Sequence, residues 1–237
     1  MAKKLFLFCF IVSLSLILMV ACSNNTSNDN NDSTSNTEEV EKDSNIEENE
    51  DTNGDKPYIA IISKGFQHQF WQAVQNGAEK AAEEFNVEIT FEGPDNESQV
   101  DKQMEMLQAA LDRNPDAIGF AALDSQAAAP LLETANSRGI PIIAFDSGVE
   151  SDIPITTAST DNYAAAAEAA HRMAELIGEQ GKVALVVHDQ VSVTGVERRD
   201  GFVDTIKEEY PNIEIVDTQY GGGDHLESTN LAKTIIQ

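Results

Sequence analysis

The stretch that decides the fold is YIAIISKGFQHQFWQAVQNGAEKAAEEFNVEITF, residues 58–91. It opens with the apolar run Tyr58–Ser63, which is typical of a buried strand, and a second such run closes it at Val87–Phe91. Between them, Phe70–Phe85 repeats apolar residues at helical spacing. We expect the inward face of this helix to carry Phe70, Val74, Ala78, Ala81 and Phe85. The stretch therefore predicts a strand–helix–strand unit.

The same alternation continues to the end of the chain. Further strands are predicted at Ala117–Ala122, Pro141–Phe145, Ile155–Ser159, Lys182–Val187 and Ile213–Thr218, with helices between and after them. Repeated units of this kind with near-continuous apolar strands predict an α/β fold, with parallel sheets covered by helices. Gly, Ser, Asp and Pro interrupt the alternation between residues 146 and 160, so we place a change of lobe there. The prediction is two Rossmann-like lobes, residues 57–150 and 151–237, with a cleft between them.

The first 56 residues have a different character. Lys3 and Lys4 precede a mostly apolar run that ends in small residues before Cys22, which predicts a secretory signal peptide over residues 1–21. The run is shorter than the roughly 20 apolar residues of a membrane-spanning helix. Residues 22–56 hold eleven acidic residues and two lysines among Ser, Asn and Thr. That composition predicts a disordered acidic tether.

Charge and motif content argue against several classes of protein. The formal net charge is −26, and after the tether the only adjacent basic residues are Arg198 and Arg199, which disfavours a nucleic-acid partner. We find no nucleophile elbow, phosphate-binding loop or zinc motif, and Gly221–Gly223 lacks the dinucleotide-binding spacing. No cysteine follows Cys22, and His68 with His188 make a poor metal site. We predict no catalytic residues, cofactor or metal.

Polar and aromatic residues collect where the predicted strands end. They are Lys64, His68, Phe70 and Trp71 after the first strand, Asp124 and Asp146 after later ones, and His188, Arg198, Tyr220 and Asp224 in the second lobe. In open α/β sheets, ligands bind beyond the carboxyl ends of the strands. Aromatic faces with charged hydrogen-bonding groups suit a small polyhydroxylated ligand.

Five segments in order resemble ribose-type periplasmic sugar-binding proteins. They are IISKGFQHQFWQAVQNGAEKAA, DAIGFAALDSQA, GIPIIAFDSGV, the TDN at residues 160–162 and ERRDGF at residues 197–202. Ahead of them, Met19–Cys22 resembles the bacterial lipobox, in which the cysteine becomes the acylated first residue. The resemblance implies the type I periplasmic binding fold and lipidation of Cys22.

The resemblance also implies roles for single residues. Phe70 and Trp71 look like the two aromatics against which a sugar ring lies, and His68 stands where the family has a hydroxyl-binding Asn. Asp146 looks like the acid that grips a pair of hydroxyls, and Arg198 like the arginine that faces the cleft from the second lobe.

Two departures put ribose itself in doubt. Ser147 replaces the arginine that usually follows the acid, and Gly223 stands about where a stacking aromatic is found, so that Tyr220 could substitute for it.

Plainer interpretations remain open for the same residues. Either aromatic can belong to the core, since Phe and Trp are commonly buried. Asp146 could cap a turn, Arg198 could be a solvated helix residue, and Asp124 is better explained as a helix cap than as a ligand.

The implied function is capture of a monosaccharide-like sugar and its delivery to an ABC transporter permease. The location implied is the outer face of the bacterial cytoplasmic membrane, held by the lipid anchor, or the periplasm. The alternative is a sugar-sensing lipoprotein that signals to a membrane sensor kinase. Family chains continue with further βα units, so we expect the second lobe to be partial and sugar binding to be weak.

Overall fold

A computed structural model describes residues 56–237. The predicted signal peptide, Cys22 and all but the last residue of the tether lie outside the described residues. The strands are β1 (Tyr58–Ile62), β2 (Glu88–Glu92), β3 (Ala117–Phe120), β4 (Ile142–Phe145), β5 (Thr156–Ala158), β6 (Gly181–Val187) and β7 (Ile213–Tyr220). The helices are α1 (Gln69–Glu84), α2 (Val100–Asp112), α3 (Ala129–Ser137), α4 (Asn162–Ile177), α5 (Val193–Glu209) and α6 (His225–Ile235).

The first lobe is built on a five-stranded sheet in the order β2-β1-β3-β4-β5, with every neighbouring pair parallel. Parallel neighbours need a crossover connection, and α1, α2 and α3 supply the crossovers between the first four strands. Because all of these strands run the same way, their carboxyl ends meet at one edge of the sheet. The predicted α/β class is confirmed.

The core of this lobe lies where the sheet meets α2 and α3. Ile62, Ile118 and Phe120 of the strands pack in one cluster with Leu107 of α2 and Leu132 of α3. Alternate residues of β1 are buried, as the two-residue period of a strand requires when one face meets a core.

Helix α1 turns a different face inward from the one predicted. Trp71 is its only buried residue, whereas Phe70 is 46% and Phe85 71% exposed. Neighbouring residues of a helix project about 100° apart, so Phe70 and Trp71 cannot both face the sheet. The predicted inward face is therefore wrong at both of its ends.

The second lobe has the two-stranded parallel sheet β6-β7. Its core cluster includes Ala170 and Ala174 of α4, Val183 of β6, Ile206 of α5 and Ile213 of β7. The small alanines recur every fourth residue on one face of α4, which lets this helix approach its neighbours closely.

The strand predicted to open the second lobe belongs to the first. β5 pairs in parallel with β4, with Thr156 opposite Ile143 and Ala158 opposite Phe145. Its three residues are all exposed, so no burial pattern marks which sheet the strand joins. The backbone of β4 gains hydrogen-bonding partners from β5 that an edge strand would lack. The first sheet thus extends past the predicted boundary at residue 150.

Gly201, in the ERRDGF segment, lets α5 lie against α4. A Cβ atom at this position would stand 2.2 Å from the Tyr163 carbonyl oxygen, which is backbone and cannot turn aside. We expect Gly201→Ala to lower the free energy of unfolding by about 1–3 kcal/mol, the usual cost of overpacking. Denaturant unfolding of the full chain measures it. Gly77→Ala on α1 is the control, because its Cβ would meet nothing within 4 Å. Equal midpoints for the two variants would contradict this explanation.

Candidate functional site

Two loops meet at the carboxyl ends of β1 and β2 because these strands are neighbours. A Cβ atom on Gly93 would lie 2.3 Å from the Ser63 hydroxyl oxygen and 2.8 Å from the Gly65 carbonyl oxygen, so only glycine fits there. The Ser63 hydroxyl donates to the Gly65 carbonyl oxygen at 2.7 Å. The loop that follows β2 is thereby held against the loop that follows β1, and Glu97 is brought beside Trp71.

A cleft of about 1010 Å³ opens at this edge, between the loops of the first lobe and the segment that follows β7. Its lining includes His68, Trp71, Glu97, Tyr220, Asp224 and His225. Four of these residues were predicted from the strand-end rule. The volume is at the upper end of the range for small-molecule sites.

The carboxylate of Glu97, which lines the cleft, lies close to three other side chains. Its Oε1 accepts a hydrogen bond from Trp71 Nε1 at 2.8 Å, and its Oε2 lies 3.7 Å from Lys64 Nζ. His188 Nε2 lies 2.9 Å from Oε2, although the ring N–H is not aligned for a hydrogen bond. Burial opposes ionisation, but His188, Trp71 and Lys64 together lower the pKa of Glu97 to about 2. The side chain is therefore a carboxylate at any ordinary pH.

His188 is held between two carboxylates from different lobes. Its Nδ1 pairs with Asp189 and its Nε2 faces Glu97. The hydrogen bond with Asp189 and then the nearby carboxylate of Glu97 raise the pKa of His188 to about 9, against burial and the charge of Lys64. Asp189 in turn accepts from the backbone N–H groups of Val191 and Ser192, at 2.7 and 2.6 Å. The imidazole is thus a fixed cation at neutral pH.

Lys64 links the two lobes as well. Its side chain is buried, and Nζ donates to the Thr194 hydroxyl at 3.2 Å. A backbone bond runs beside it, in which Ser125 N donates to the Val191 carbonyl oxygen at 3.0 Å. The Lys64 contact joins a first-lobe loop to Thr194 at the start of α5. The Ser125 contact joins another first-lobe loop to Val191, just before that helix.

Asp146 follows β4 in the left-handed region, with φ of 57°. Positive φ is uncommon outside glycine and carries a conformational cost that persists only where the surroundings fix it. Burial raises the pKa of its carboxyl, and the charges of Lys64 and Arg198 oppose that rise. The structure thus brings Asp146 within electrostatic range of both cations. The hydroxyl of the next residue, Ser147, is buried and has no hydrogen-bond partner among the described residues.

Arg198 is exposed, and its Nε donates to Asn162 Oδ1 at 2.8 Å. Asn162 is the last residue of the TDN segment and is buried, so this bond fixes the Nε end of the guanidinium, whose terminal nitrogens have no hydrogen-bond partner among the described residues. Neither Arg198 nor Asp146 is among the described residues that line the open cleft.

Several predicted site residues have structural contacts that account for them. Asp124 accepts from the backbone N–H groups of Gln126 and Ala127 in the turn before α3. The prediction that it caps the helix is wrong, because the N-cap of α3 is Ala128. His68 caps α1 through Nδ1, which accepts from Phe70 N at 3.1 Å, and Asp224 caps α6. Phe70 packs edge-on against Trp71 with ring centroids 4.8 Å apart, and it is not among the described residues that line the cleft.

A stacking side chain at Gly223 would have to displace His188. A Cβ atom at this position would lie 2.9 Å from His188 Nε2 and 3.6 Å from Glu97 Cβ, and its φ is 74°. The histidine and the glutamate occupy the space into which a side chain at residue 223 would project.

Sequence reasoning missed Glu97, Thr194 and His225 as cleft or inter-lobe residues. Glu97 could have been found, because the loop after β2 reaches the same edge as the loops after β1 and β3. The ring of His225 stacks on that of His68 at 5.8 Å, and nothing in the local sequence pairs the two.

The described residues hold no group of three or more His, Cys, Asp or Glu side chains placed to bind a metal ion. Among the helices of residues 56–237, none combines the length and apolar character needed to span a membrane.

Two parallel α/β lobes with a polar cleft beyond their strand ends define a small-molecule binding module. A family model described as the periplasmic binding protein domain matches residues 59–237. The chain belongs to this family, which confirms the resemblance found in the sequence.

The relatives that the chain resembles include sugar-binding proteins. The D-apiose import binding protein of Actinobacillus succinogenes is 26% identical over 184 residues, covering 77% of this chain and 58% of the relative. A solute-binding protein from Agrobacterium vitis, solved with bound D-fucose, is 32% identical with a TM-score of 0.73, covering 76% of this chain and 63% of its own. XylFII in the XylFII–LytSN complex is 28% identical with a TM-score of 0.72, covering 77% and 66%. The chain therefore spans about three fifths of the length of these relatives.

Proposed function

We propose that this protein is a non-catalytic solute-binding protein that captures a monosaccharide-like sugar between its two lobes and delivers it to an ABC transporter permease. The observation that carries the proposal is the polar cleft at the strand ends, lined from both lobes by aromatic and charged side chains. The names of the relatives support it, since one is an import binding protein and another holds D-fucose. Capture would proceed by closure of the lobes around the sugar, a motion known for this class.

The charges of the site disfavour an anionic ligand. The carboxylates that line the cleft are those of Asp95, Glu97, Asp224 and Glu227, and the cations that contact Glu97 are Lys64 and His188. Because the carboxylates outnumber the cations, an anion would meet a surplus of like charge. A sugar hydroxyl can donate to a carboxylate and accept from a cation, so a neutral polyhydroxylated ring can use both sets.

A thermal-shift screen of the full chain against monosaccharides tests the function. A ligand that binds only the folded state, at about one hundred times its dissociation constant, stabilises by about 2.7 kcal/mol. For a chain of this length that corresponds to a rise in melting temperature of about 5–10 °C. Departures at His68 and Ser147 make it necessary to include several hexoses and pentoses besides ribose. Because weak binding is expected, each sugar is raised to concentrations that saturate a weak site, and no shift with any of them there would overturn the sugar assignment.

We propose further that Cys22 is lipidated and anchors the protein to the outer face of the bacterial membrane. The support is the sequence of residues 1–22, with its basic start, apolar run and lipobox-like ending. We expect Cys22→Ser to release the protein from the membrane fraction or to leave the signal peptide uncut, because two acyl chains are needed for stable anchoring. Fractionation and mass measurement of the expressed full chain check this, with Cys9→Ser as the control. Unchanged fractionation and processing of Cys22→Ser would refute the anchor.

The second candidate is a sugar-sensing lipoprotein that signals to a membrane sensor kinase. The observation that favours it is the similarity to XylFII, which is solved in a complex with a second protein, LytSN. Crosslinking of the full chain in its own cells, with and without sugar, separates the two proposals. Capture of a permease subunit supports transport, and capture of a kinase supports sensing.

A further inference from the structure

Glu97 makes three contacts that no other cleft residue combines. It accepts from the indole N–H of Trp71 in α1, it lies beside the buried ammonium of Lys64, and it faces the imidazole of His188. The first two partners belong to the first lobe and the third belongs to the second. The side chains of Glu97 and His188 are each only 18% exposed, so the pair is largely withdrawn from solvent.

We propose that Glu97 is a positioning residue of the cleft, which holds Trp71 in place and couples it to the approach of His188 from the other lobe. This proposal depends on the proposed function in one respect, which is that this cleft is the sugar-binding site. A carboxylate that bonds Trp71 through one oxygen and meets His188 through the other transmits any separation of the lobes to the indole.

The contact between Glu97 and His188 depends on pH, because it weakens when the imidazole of His188 loses its proton. The groups that face His188 are Glu97 from the β2–α2 loop, Asp189 from its own loop and Lys64 after β1, with the charge of Asp146 further away. The pKa of His188 is raised from 6.5 to about 9 in this arrangement. The contribution of the pair is therefore fully present between about pH 4.5 and 6.5 and is lost as the pH rises through about 9, when His188 loses its proton. On the acid side it is lost as the pH falls through about 2, when the Glu97 carboxylate takes up a proton.

The protein carries its own reporter for this contact, because Trp71 is the only tryptophan of the chain. We expect the emission of the full chain, excited selectively at its indole, to change between pH 7 and 10 with a midpoint near 9. The change should disappear in Glu97→Gln and in His188→Gln, which interrupt the link from either lobe. It should persist in Glu92→Gln, a partly exposed glutamate that pairs with Arg113 at 2.9 Å in the same lobe.

Circular dichroism across the same pH range shows that each variant remains folded, and the two site variants test the link independently. A flat emission profile in the parent chain, or a transition near pH 9 that survives in either folded site variant, would overturn the proposal. Titration of the parent chain with the sugars of the thermal-shift screen is scored separately. Absence of any sugar response refutes the proposed function, whereas the pH result alone decides the role of Glu97.

Discussion

Alanine at Asp146 or at Arg198 is expected to weaken sugar binding by about ten- to hundred-fold. Each residue supplies charged hydrogen-bonding atoms, and loss of one partner from such a bond typically costs about 1.5–3 kcal/mol. Burial raises the pKa of the Asp146 carboxyl, and the charges of Lys64 and then Arg198 oppose that rise, although the structure shows no direct ion pair between Asp146 and Arg198 among the described residues. Arg198 is exposed, and within residues 56–237 its one hydrogen bond is the one that Nε donates to Asn162, so its terminal nitrogens have no partner there.

Calorimetry on the two variants, with the sugar identified by thermal shift, measures the effect. Asp152→Ala and Arg172→Ala are matched controls, since both residues are exposed and the ion pair of Arg172 within residues 56–237 is with Glu175 of its own helix. Folded Asp146→Ala and Arg198→Ala proteins that bind like the parent would show that the sugar site lies elsewhere. Loss in only one of them would limit the site to that lobe.

The fold was predictable because its signal is local and repeated. Apolar runs such as Tyr58–Ser63 alternate with helical patterns along the whole of residues 58–237, and each unit can be recognised without the others. The error at β5 has the opposite origin. Three exposed residues carry no burial pattern, and only their hydrogen bonds to β4 assign them to the first sheet.

The candidate site was predictable in part for a similar reason. The strand-end rule selected Lys64, His68 and His188, because it needs only the position of a residue relative to a strand. It could not rank them, and it gave no indication that Lys64 is buried and contacts Thr194, 130 positions further along the chain. Such contacts depend on how the lobes meet, which one sequence does not reveal.

The two aromatics illustrate the limit of resemblance. Phe70 and Trp71 were both expected against a sugar ring, and their helical geometry separates them. Trp71 is 2% exposed and packs edge-on against Phe70 and Phe145, while Phe70 stays half exposed. Trp71 therefore matches a binding motif although most of its surface is buried in the core. Only a small part of its ring borders the cleft.

Trp71→Ala is accordingly expected to act first on stability, lowering the free energy of unfolding by about 3–5 kcal/mol. That loss is a large fraction of the stability of an ordinary domain. The indole fills the space beneath Gly65, where a Cβ atom would already lie 3.2 Å from it, and its N–H is a hydrogen-bond donor to Glu97. Removing it leaves both a cavity and a partly buried carboxylate with one donor fewer.

Phe70→Ala is the matched control, because it removes a neighbouring aromatic that is 46% exposed. We expect it to cost about 1 kcal/mol or less, since about half of its surface already meets water. Urea unfolding followed by far-ultraviolet circular dichroism compares the two without depending on tryptophan fluorescence. If Trp71→Ala proved as stable as the parent and lost only sugar affinity, Trp71 would be a ligand-stacking residue after all. If both variants cost the same, the burial difference between the two rings would not govern stability here.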